Sequence, residues 1–489
     1  MLTLHVKNLR SIEDSGPIKL CPLTLVVGRN SAGKSTLLRV LPLLRQSVER
    51  RTSGPILWFG DLVDFGSFGE AVRWGVEKKE IELEVGFSWD TDYARNPWAV
   101  GGGRRTEAPV TLGLTLGNGD RAPAVVRVAF RCGDQTLEVD IAPDGRWASL
   151  LVNGRLADLK HVTPLSTNER VPFVSWRSED VNPEDTARPV LEAAGWPLSS
   201  EIGEHAMWSR TLFWHPDLAS TRGLFARRNP PFFRGVSEEQ VRRVHDALFT
   251  RDAAYILLSA LQTLAAEAAA VAYIGPFRAP PARHYRVSEL SNDVVDADGT
   301  NTAMVVRSLS PAARENLNLW LTQHLGFGLE LGDTDAHVQL RISEGALRAA
   351  NLIDVGYGVS QLLPVAVQLW MMSHPRDDAA PAFRTCVIEQ PELHLHPAHQ
   401  ARLGALLASL AQEASRRVGR PEWSLLVETH SAELVEAVGR AIFEGELPPS
   451  AAQIVIVEKG DVSGDSTVRV ATFDERGELQ NWPVGFFVP

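Results

Sequence analysis

Hydrophobic and polar residues alternate along this chain in three rhythms. Leu23 to Val27 is an unbroken apolar run. Similar runs end at Glu389 (Phe383-Arg384-Thr385-Cys386-Val387-Ile388-Glu389) and at Glu428 (Ser424-Leu425-Leu426-Val427-Glu428). Short continuous runs of this kind predict strands buried on both faces. A period of two marks Met1 to Lys7, Glu80 to Val85, Val125 to Phe130 and Leu137 to Ile141, and predicts half-buried strands, the last three antiparallel. A helical period covers Leu37, Leu38, Val40 and Leu41. It returns between Pro189 and Ala270, most strongly over Leu257 to Ala270, and again over Leu362 to Met372. Pro230-Pro231 breaks the long helical stretch, and Gly101-Gly102-Gly103-Arg104-Arg105 predicts a hairpin tip. Ile454 to Val457, followed by Glu458 and Asp461, predicts an edge strand.

A chain of 489 residues is too long for one simple core, so two or three structural units are expected. No apolar run approaches the ~20 residues of a membrane span, and the alternating start lacks the apolar block of a signal peptide. Together with three widely spaced cysteines, Cys21, Cys132 and Cys386, this predicts a cytoplasmic protein with reduced thiols and no membrane partner. A net charge of −11 argues against a generally basic nucleic-acid surface. Two local clusters remain: Arg45, Arg50 and Arg51, and Arg227, Arg228 and Arg234 beside Phe225, Phe232 and Phe233. Solvated arginines next to packed aromatics are the commoner explanation for both, with contact to DNA the alternative.

The chemistry concentrates in four segments. Gly28-Arg29-Asn30-Ser31-Ala32-Gly33-Lys34-Ser35-Thr36 matches the phosphate-binding P-loop, between a predicted strand and a predicted helix. Its backbone N–H groups would cradle a polyphosphate, Lys34 would reach the β- and γ-phosphates, and the Ser35 hydroxyl would ligate Mg²⁺. Arg29 and Asn30 are positioned to touch phosphate or adenine. Glu389 ends an apolar strand, the arrangement that delivers a carboxylate to the Mg²⁺ side of a P-loop. Glu428-Thr429-His430-Ser431 ends another, and Gly356-Tyr357-Gly358-Val359-Ser360-Gln361 opens an apolar helix. His394, His396 and His399 have a spacing that could hold zinc, though the run continues directly from the Glu389 strand.

These segments together resemble the ABC-type ATPase heads related to SMC and RecF proteins. Within that group the chain is most similar to overcoming-lysogenization-defect (OLD) relatives and the ATPase subunit of Septu-type anti-phage systems. Further residues that carry the resemblance are Asp64 to Phe68, Gly275-Pro276-Phe277-Arg278, the run Ile388-Glu389-Gln390-Pro391-Glu392-Leu393-His394-Leu395-His396-Pro397, and the terminal Asn481-Trp482-Pro483-Val484-Gly485-Phe486-Phe487. The resemblance implies an α/β P-loop fold, an ABC-ATPase head with a mixed sheet. The head would be split between residues 1–90 and 271–489 by an α+β lobe inserted over 91–270.

It also implies roles. Glu389 would hold Mg²⁺ through water, and His430 would be the switch histidine on the γ-phosphate. Gly358 and Ser360 would reach ATP bound to a second copy, which makes a head-to-tail dimer or higher oligomer with ATP at the seam. Gln390 stands where ABC ATPases carry the glutamate that polarises the attacking water, and an amide cannot accept that proton. Either Glu392 takes the role or hydrolysis is slow, since loss of a general base costs on the order of 10²–10⁴ in rate. No Q-loop glutamine falls in Asp64 to Phe68. The histidine triplet resembles the loop that crosses the dimer seam. OLD nucleases continue into a Toprim domain, for which Ala432 to Pro489 leaves no room, so no intrinsic nuclease is expected.

The implied function is that of a Mg-ATP-dependent sensor and regulatory subunit of an anti-phage complex, with a separately encoded effector, a nuclease. A DNA-repair ATPase of the RecF kind and an ATP-locked scaffold with slow turnover are the alternatives.

Overall fold

The computed structural model describes residues 3–50, 52–90, 107–119, 122–163, 173–174, 189–190, 192–193, 214–216, 218, 237–288, 294–334, 336–345, 348–374, 384–416, 423–460 and 464–482. The predicted hairpin tip at 101–105, the Pro230-Pro231 break, the basic cluster 227–234 and the tail 483–489 lie outside them. The chain divides into two compact units. One comprises Met1–Asn8, Arg50–Leu57 and Gly75–Ala266, the other Leu9–Glu49, Trp58–Trp74 and Glu267–Pro489.

The first unit is an antiparallel meander followed by helices. Thr3–Leu9 pairs with Ile81–Asp90, and the sheet continues through Glu107–Asn118, Pro123–Cys132, Gln135–Ile141, Trp147–Val152 and Arg155–Leu156, each antiparallel to the one before. The period-two pattern of the sequence is realised here: along Gln135–Ile141, Leu137, Val139 and Ile141 are buried while Glu138 is exposed. Trp89 anchors the core. Its ring packs on Phe130 and Trp214, and its indole N–H donates to Ser259 Oγ at 3.0 Å, so a large apolar side chain is buried without an unpaired donor. Helix Glu238–Arg251 begins with a capping box between Ser237 and Gln240, and helix Ala253–Ala269 follows.

The second unit holds a mixed sheet in the order Ile12–Asp14, Ser466–Phe473, Ala452–Lys459, Leu23–Gly28, Ser424–Glu428, Thr385–Glu389 and Val271–Ile274. The last five run parallel, and only Ser466–Phe473 opposes its neighbour Ala452–Lys459. Four of the five parallel strands are buried at every residue, and Ala452–Lys459 is buried over its first six, as their continuous apolar runs require. The Ile454 segment is therefore not an edge strand. It lies between two partners in the middle of the sheet, where Ile454, Val455, Ile456 and Val457 are fully buried. Helices Tyr357–Ser373 and Pro397–Ser415 pack their apolar faces into the core this sheet belongs to. A small antiparallel sheet of Tyr285–Arg286, His337–Ser343, Gly328–Asp333 and Ala350–Asn351 completes the unit.

Arg45 is neither solvated nor aimed at phosphate. It is buried, donates Nε to Glu49 and gives Nη1 to the Val271 carbonyl at 2.8 Å, tying helix Val40–Glu49 to a sheet strand. Among the described residues, no helix is long and apolar enough to cross a membrane.

Candidate functional site

Parallel strands put their carboxyl ends at one edge of the sheet, where α/β folds place ligands. Three of those ends carry the chemistry here. Register aligns Glu389 with Glu428 on adjacent strands, and Glu428 with Val26 on the strand that enters the P-loop.

The P-loop leaves Leu23–Gly28 and closes onto helix Lys34–Leu38. Gly33 sits at φ +100, and a Cβ there would lie 2.9 Å from the hydroxyls of both Ser11 and Ser466, so only glycine fits. Ser466 Oγ donates to the Ala32 carbonyl at 2.6 Å, which braces the loop from the strand beyond Ala452–Lys459. Arg29, Asn30 and Ser31 are exposed at the turn.

Lys34 is buried, with Nζ donating to the Arg29 carbonyl at 2.9 Å and lying 3.7 Å from Glu428 Oε1. Burial lowers its pKa, and the Glu428 charge opposes that shift. Ser35 Oγ donates to Glu428 Oε2 at 2.8 Å. Burial, and then the neighbouring charge of Glu389, raises the Glu428 pKa. A cavity of about 320 Å³ opens on these groups. Gly33 to Thr36, Asn30, Ser31, Gln390, Glu428, Arg10 and Ser11 line it. The hydroxyl and carboxylate oxygens on one wall are hard donors of the kind Mg²⁺ takes, and the loop N–H groups and Lys34 suit phosphate oxygens. When bound, such an ion would neutralise phosphate charge. The chain's own part would be to hold the phosphates and present the two oxygens.

Glu389 faces a different environment. Arg39 grips it with two bonds, Nε to Oε1 at 2.7 Å and Nη2 to Oε2 at 2.8 Å, and Tyr273 donates its hydroxyl to Oε1 at 2.7 Å. The Arg278 Nη2 takes the Glu389 main-chain carbonyl at 2.7 Å. Arg278 is itself buried, and that burial lowers its pKa to about 10.

Gln390 holds a left-handed conformation at φ +45 and donates its N–H to the Glu428 carbonyl at 2.9 Å. Glu392 is buried, and its Oε1 accepts the His430 backbone N–H at 2.7 Å. Burial raises the Glu392 pKa, while the His430 bond opposes the shift. His430 itself is exposed. Its pKa is lowered by partial desolvation and by the Lys34 charge.

Gly358 and Ser360 sit in the first turn of helix Tyr357–Ser373. Ser360 is buried and donates Oγ to the Tyr357 carbonyl at 2.7 Å. Gly358 packs against the loop after Glu389, where a Cβ would lie 2.6 Å from the His394 carbonyl oxygen. His394 makes an edge contact with Tyr357, and His396 caps helix Pro397–Ser415. Among the described residues, no three His, Cys, Asp or Glu side chains are grouped to hold a metal ion, these histidines included.

Asn30, Ser31, Gly33 to Thr36 and Gln390, singled out in the sequence, lie together on the wall of this cavity. Sequence reasoning gave no role to Glu428, Arg10, Ser11, Arg39 or Tyr273. Glu428 was visible as a second acid at the end of an apolar strand. Arg10 carries no comparable signal: its guanidinium lies 4.6 Å over the Phe65 ring, a pairing only the fold creates.

Residues 348–435, from the loop before helix Tyr357–Ser373 into the helix after Ser431, match the family model described as the AAA ATPase domain. No curated protein matches the chain. Among solved structures it is similar to an SMC head bound to the C-terminal winged-helix domain of ScpA, at 13% identity over 96% of this chain and 97% of that one, with a TM-score of 0.37. It is also similar to an SMC head with an extended coiled coil bound to the C-terminal domain of ScpA from Pyrococcus furiosus, at 12% identity, the same coverage and a TM-score of 0.35. A third is the SMC head domain from Thermotoga maritima, at 11% identity over 96% and 97% of the two chains, with a TM-score of 0.35.

Proposed function

We propose that this chain binds Mg-ATP at the P-loop cavity and hydrolyses it slowly, as the sensor and regulatory subunit of an anti-phage complex. The observation that carries the nucleotide reading is the meeting of Lys34 and Ser35 with one buried carboxylate on the wall of a cavity at the carboxyl ends of parallel strands. In that reading the loop N–H groups and Lys34 hold the β- and γ-phosphates, Ser35 turns its hydroxyl lone pair to the ion, and the exposed His430 meets the γ-phosphate. ATP would lie at the seam of a head-to-tail dimer, with Gly358 and Ser360 of the second copy closing the site. The effector, a nuclease, is a separate polypeptide in this reading, which rests on the motif resemblance.

Slow turnover has its own support. Gln390 lines the cavity at the place expected for a general base, and its amide cannot take a proton. Binding without release of phosphate would make the chain an ATP-locked scaffold.

The test is affinity purification of the tagged chain from its own host with and without ATP, together with Mg-ATP binding by the purified protein and by Lys34→Ala. ATP-dependent capture of a stoichiometric nuclease supports the defence role. An eluate holding only DNA points to a RecF-type repair ATPase. Equal nucleotide affinity in wild type and Lys34→Ala would end the P-loop reading.

A further inference from the structure

Two acidic strand ends face the P-loop side of the sheet, and their surroundings differ in a way that assigns them different work. Glu389 has both oxygens engaged, by Arg39 and Tyr273. Glu428 stands on the strand that adjoins the P-loop strand directly, with Glu389 one strand further out. Glu428 alone of the two lines the cavity.

The spacing is that of an ordinary O–H···O bond and also fits two neighbouring ligands of one ion. Adjacent ligand oxygens of a six-coordinate Mg²⁺ at its usual bond length lie about 2.9 Å apart. Ser35 Oγ and Glu428 Oε2 are already 2.8 Å apart, held by the hydrogen bond that an ion would replace. Little movement is needed for both to become neighbouring ligands. The second oxygen, Oε1, faces Lys34 at 3.7 Å, so the carboxylate keeps a cation beside it before any ion arrives. Magnesium sites with phosphate ligands commonly use one or two protein oxygens and fill the rest with water, so this pair is a sufficient protein contribution.

We infer that Glu428, and not Glu389, supplies the carboxylate that holds the divalent cation with Ser35, while Glu389 is fixed as an internal ion pair with Arg39. This rests on the nucleotide reading above. The strand carrying His430 would then bind the ion and the terminal phosphate from consecutive turns of chain, coupling the metal to the switch residue two positions on.

The experiment is titration of Mn²⁺ into the full chain saturated with ADP, read by electron paramagnetic resonance, in wild type, Glu428→Gln and Glu389→Gln. Metal-free ADP affinity in EDTA is measured on each as the control for folding and for the P-loop. Glu428→Gln is expected to weaken Mn²⁺ by roughly tenfold or more, the scale of disturbing a metal site, with ADP affinity in EDTA not reduced, since a negative charge beside the phosphates is removed. Glu389→Gln is expected to keep Mn²⁺ affinity within about threefold, below the scale of even an outer-shell loss. The reverse order, or equal weakening in both, overturns the assignment. If Glu428→Gln does not fold, Glu428→Asp keeps the charge and shortens its reach. Unchanged Mn²⁺ affinity in that variant also overturns it. Failure of the wild type to bind ADP at all would instead remove the nucleotide reading on which the inference stands.

Discussion

Arg39 and Glu389 lie 350 residues apart in sequence and are joined by two parallel hydrogen bonds of 2.7 and 2.8 Å. The carboxylate is buried, the guanidinium about a quarter exposed, and Tyr273 donates a third bond to the carboxylate. A fork-to-fork pair of this kind fixes direction as well as distance. It clamps the end of the helix after the P-loop to the strand that ends in Glu389.

Removing one partner should therefore cost more than a surface ion pair. Arg39→Ala leaves the Glu389 charge buried with only the tyrosine hydroxyl, and is expected to lower unfolding free energy by about 3 kcal/mol. Replacing both, as Arg39→Met with Glu389→Met, should recover most of that loss, because no buried charge is then stranded. Urea unfolding of the single and double variants measures both values. A single variant as stable as wild type would mean the pair contributes nothing to the fold.

Glu392 should make the protein less stable as pH rises. Its folded pKa is raised above the ordinary 4.5 by burial, so between 4.5 and the folded value the unfolded chain has already released the proton that the folded chain still holds. Stability from this group is present below about 4.5 and is lost as pH rises through the folded pKa. Glu392→Gln keeps an oxygen for the His430 N–H and removes the titration. Its melting temperature is expected to pull ahead of wild type from pH 4 to pH 8. His430, with a lowered pKa, acts in the opposite sense below 6.5, but it is present in both proteins and cancels in the difference. A difference that stays flat across this range would show that Glu392 does not titrate abnormally.

At Gly358 two effects compete. Alanine favours a helix over glycine by up to about 1 kcal/mol. Against that, its Cβ would press to 2.6 Å from the main-chain oxygen of His394, which cannot rotate away as a side chain could. Overpacking of this sort costs about 1–3 kcal/mol, so Gly358→Ala is expected to destabilise by a net of up to about 2 kcal/mol. Gly356→Ala, where a Cβ meets nothing within 4 Å, should stay within about 1 kcal/mol of wild type. Thermal melts of the pair distinguish close packing from a general intolerance of the turn.

The parallel strands were legible because burial on both faces writes itself as an unbroken apolar run, and the meander because one-sided burial writes alternation. Order within the sheet is not written in either pattern. Ala452–Lys459 joins Leu23–Gly28 from more than four hundred residues away, so its central place was hidden and its terminal acids made it look like an edge. Long-range ion pairs were hidden for the same reason. Arg45 reads as a solvated cation until the Val271 carbonyl is brought beside it, and nothing local marks Arg39 as the partner of Glu389. The P-loop could be read directly since its conformation is local, whereas the partner of Ser35 depends on which of two acids the strand order sets nearest.

Gln390 gives the sharpest test of the proposed ATP turnover. Its side chain belongs to the cavity wall, and its backbone is held at φ +45 by the turn after Glu389 and by the bond to the Glu428 carbonyl. That conformation is set by the main chain and does not depend on the amide, so Gln390→Glu should leave the loop in place. The new carboxylate would supply the proton acceptor that the amide lacks. Phosphate release under single-turnover conditions is expected to rise by about tenfold or more, toward the range a general base contributes. ATP affinity should fall slightly, because a further negative charge then faces the phosphates beside Glu428. If turnover does not change, the attacking water is activated from elsewhere. Glu392 is the next carboxylate along, and combining Glu392→Gln with Gln390→Glu then decides the matter: turnover that collapses only when Glu392 is lost would identify it as the base, turnover indifferent to both would exclude both, and ATP binding with no phosphate release in any variant would leave the chain an ATP-locked scaffold.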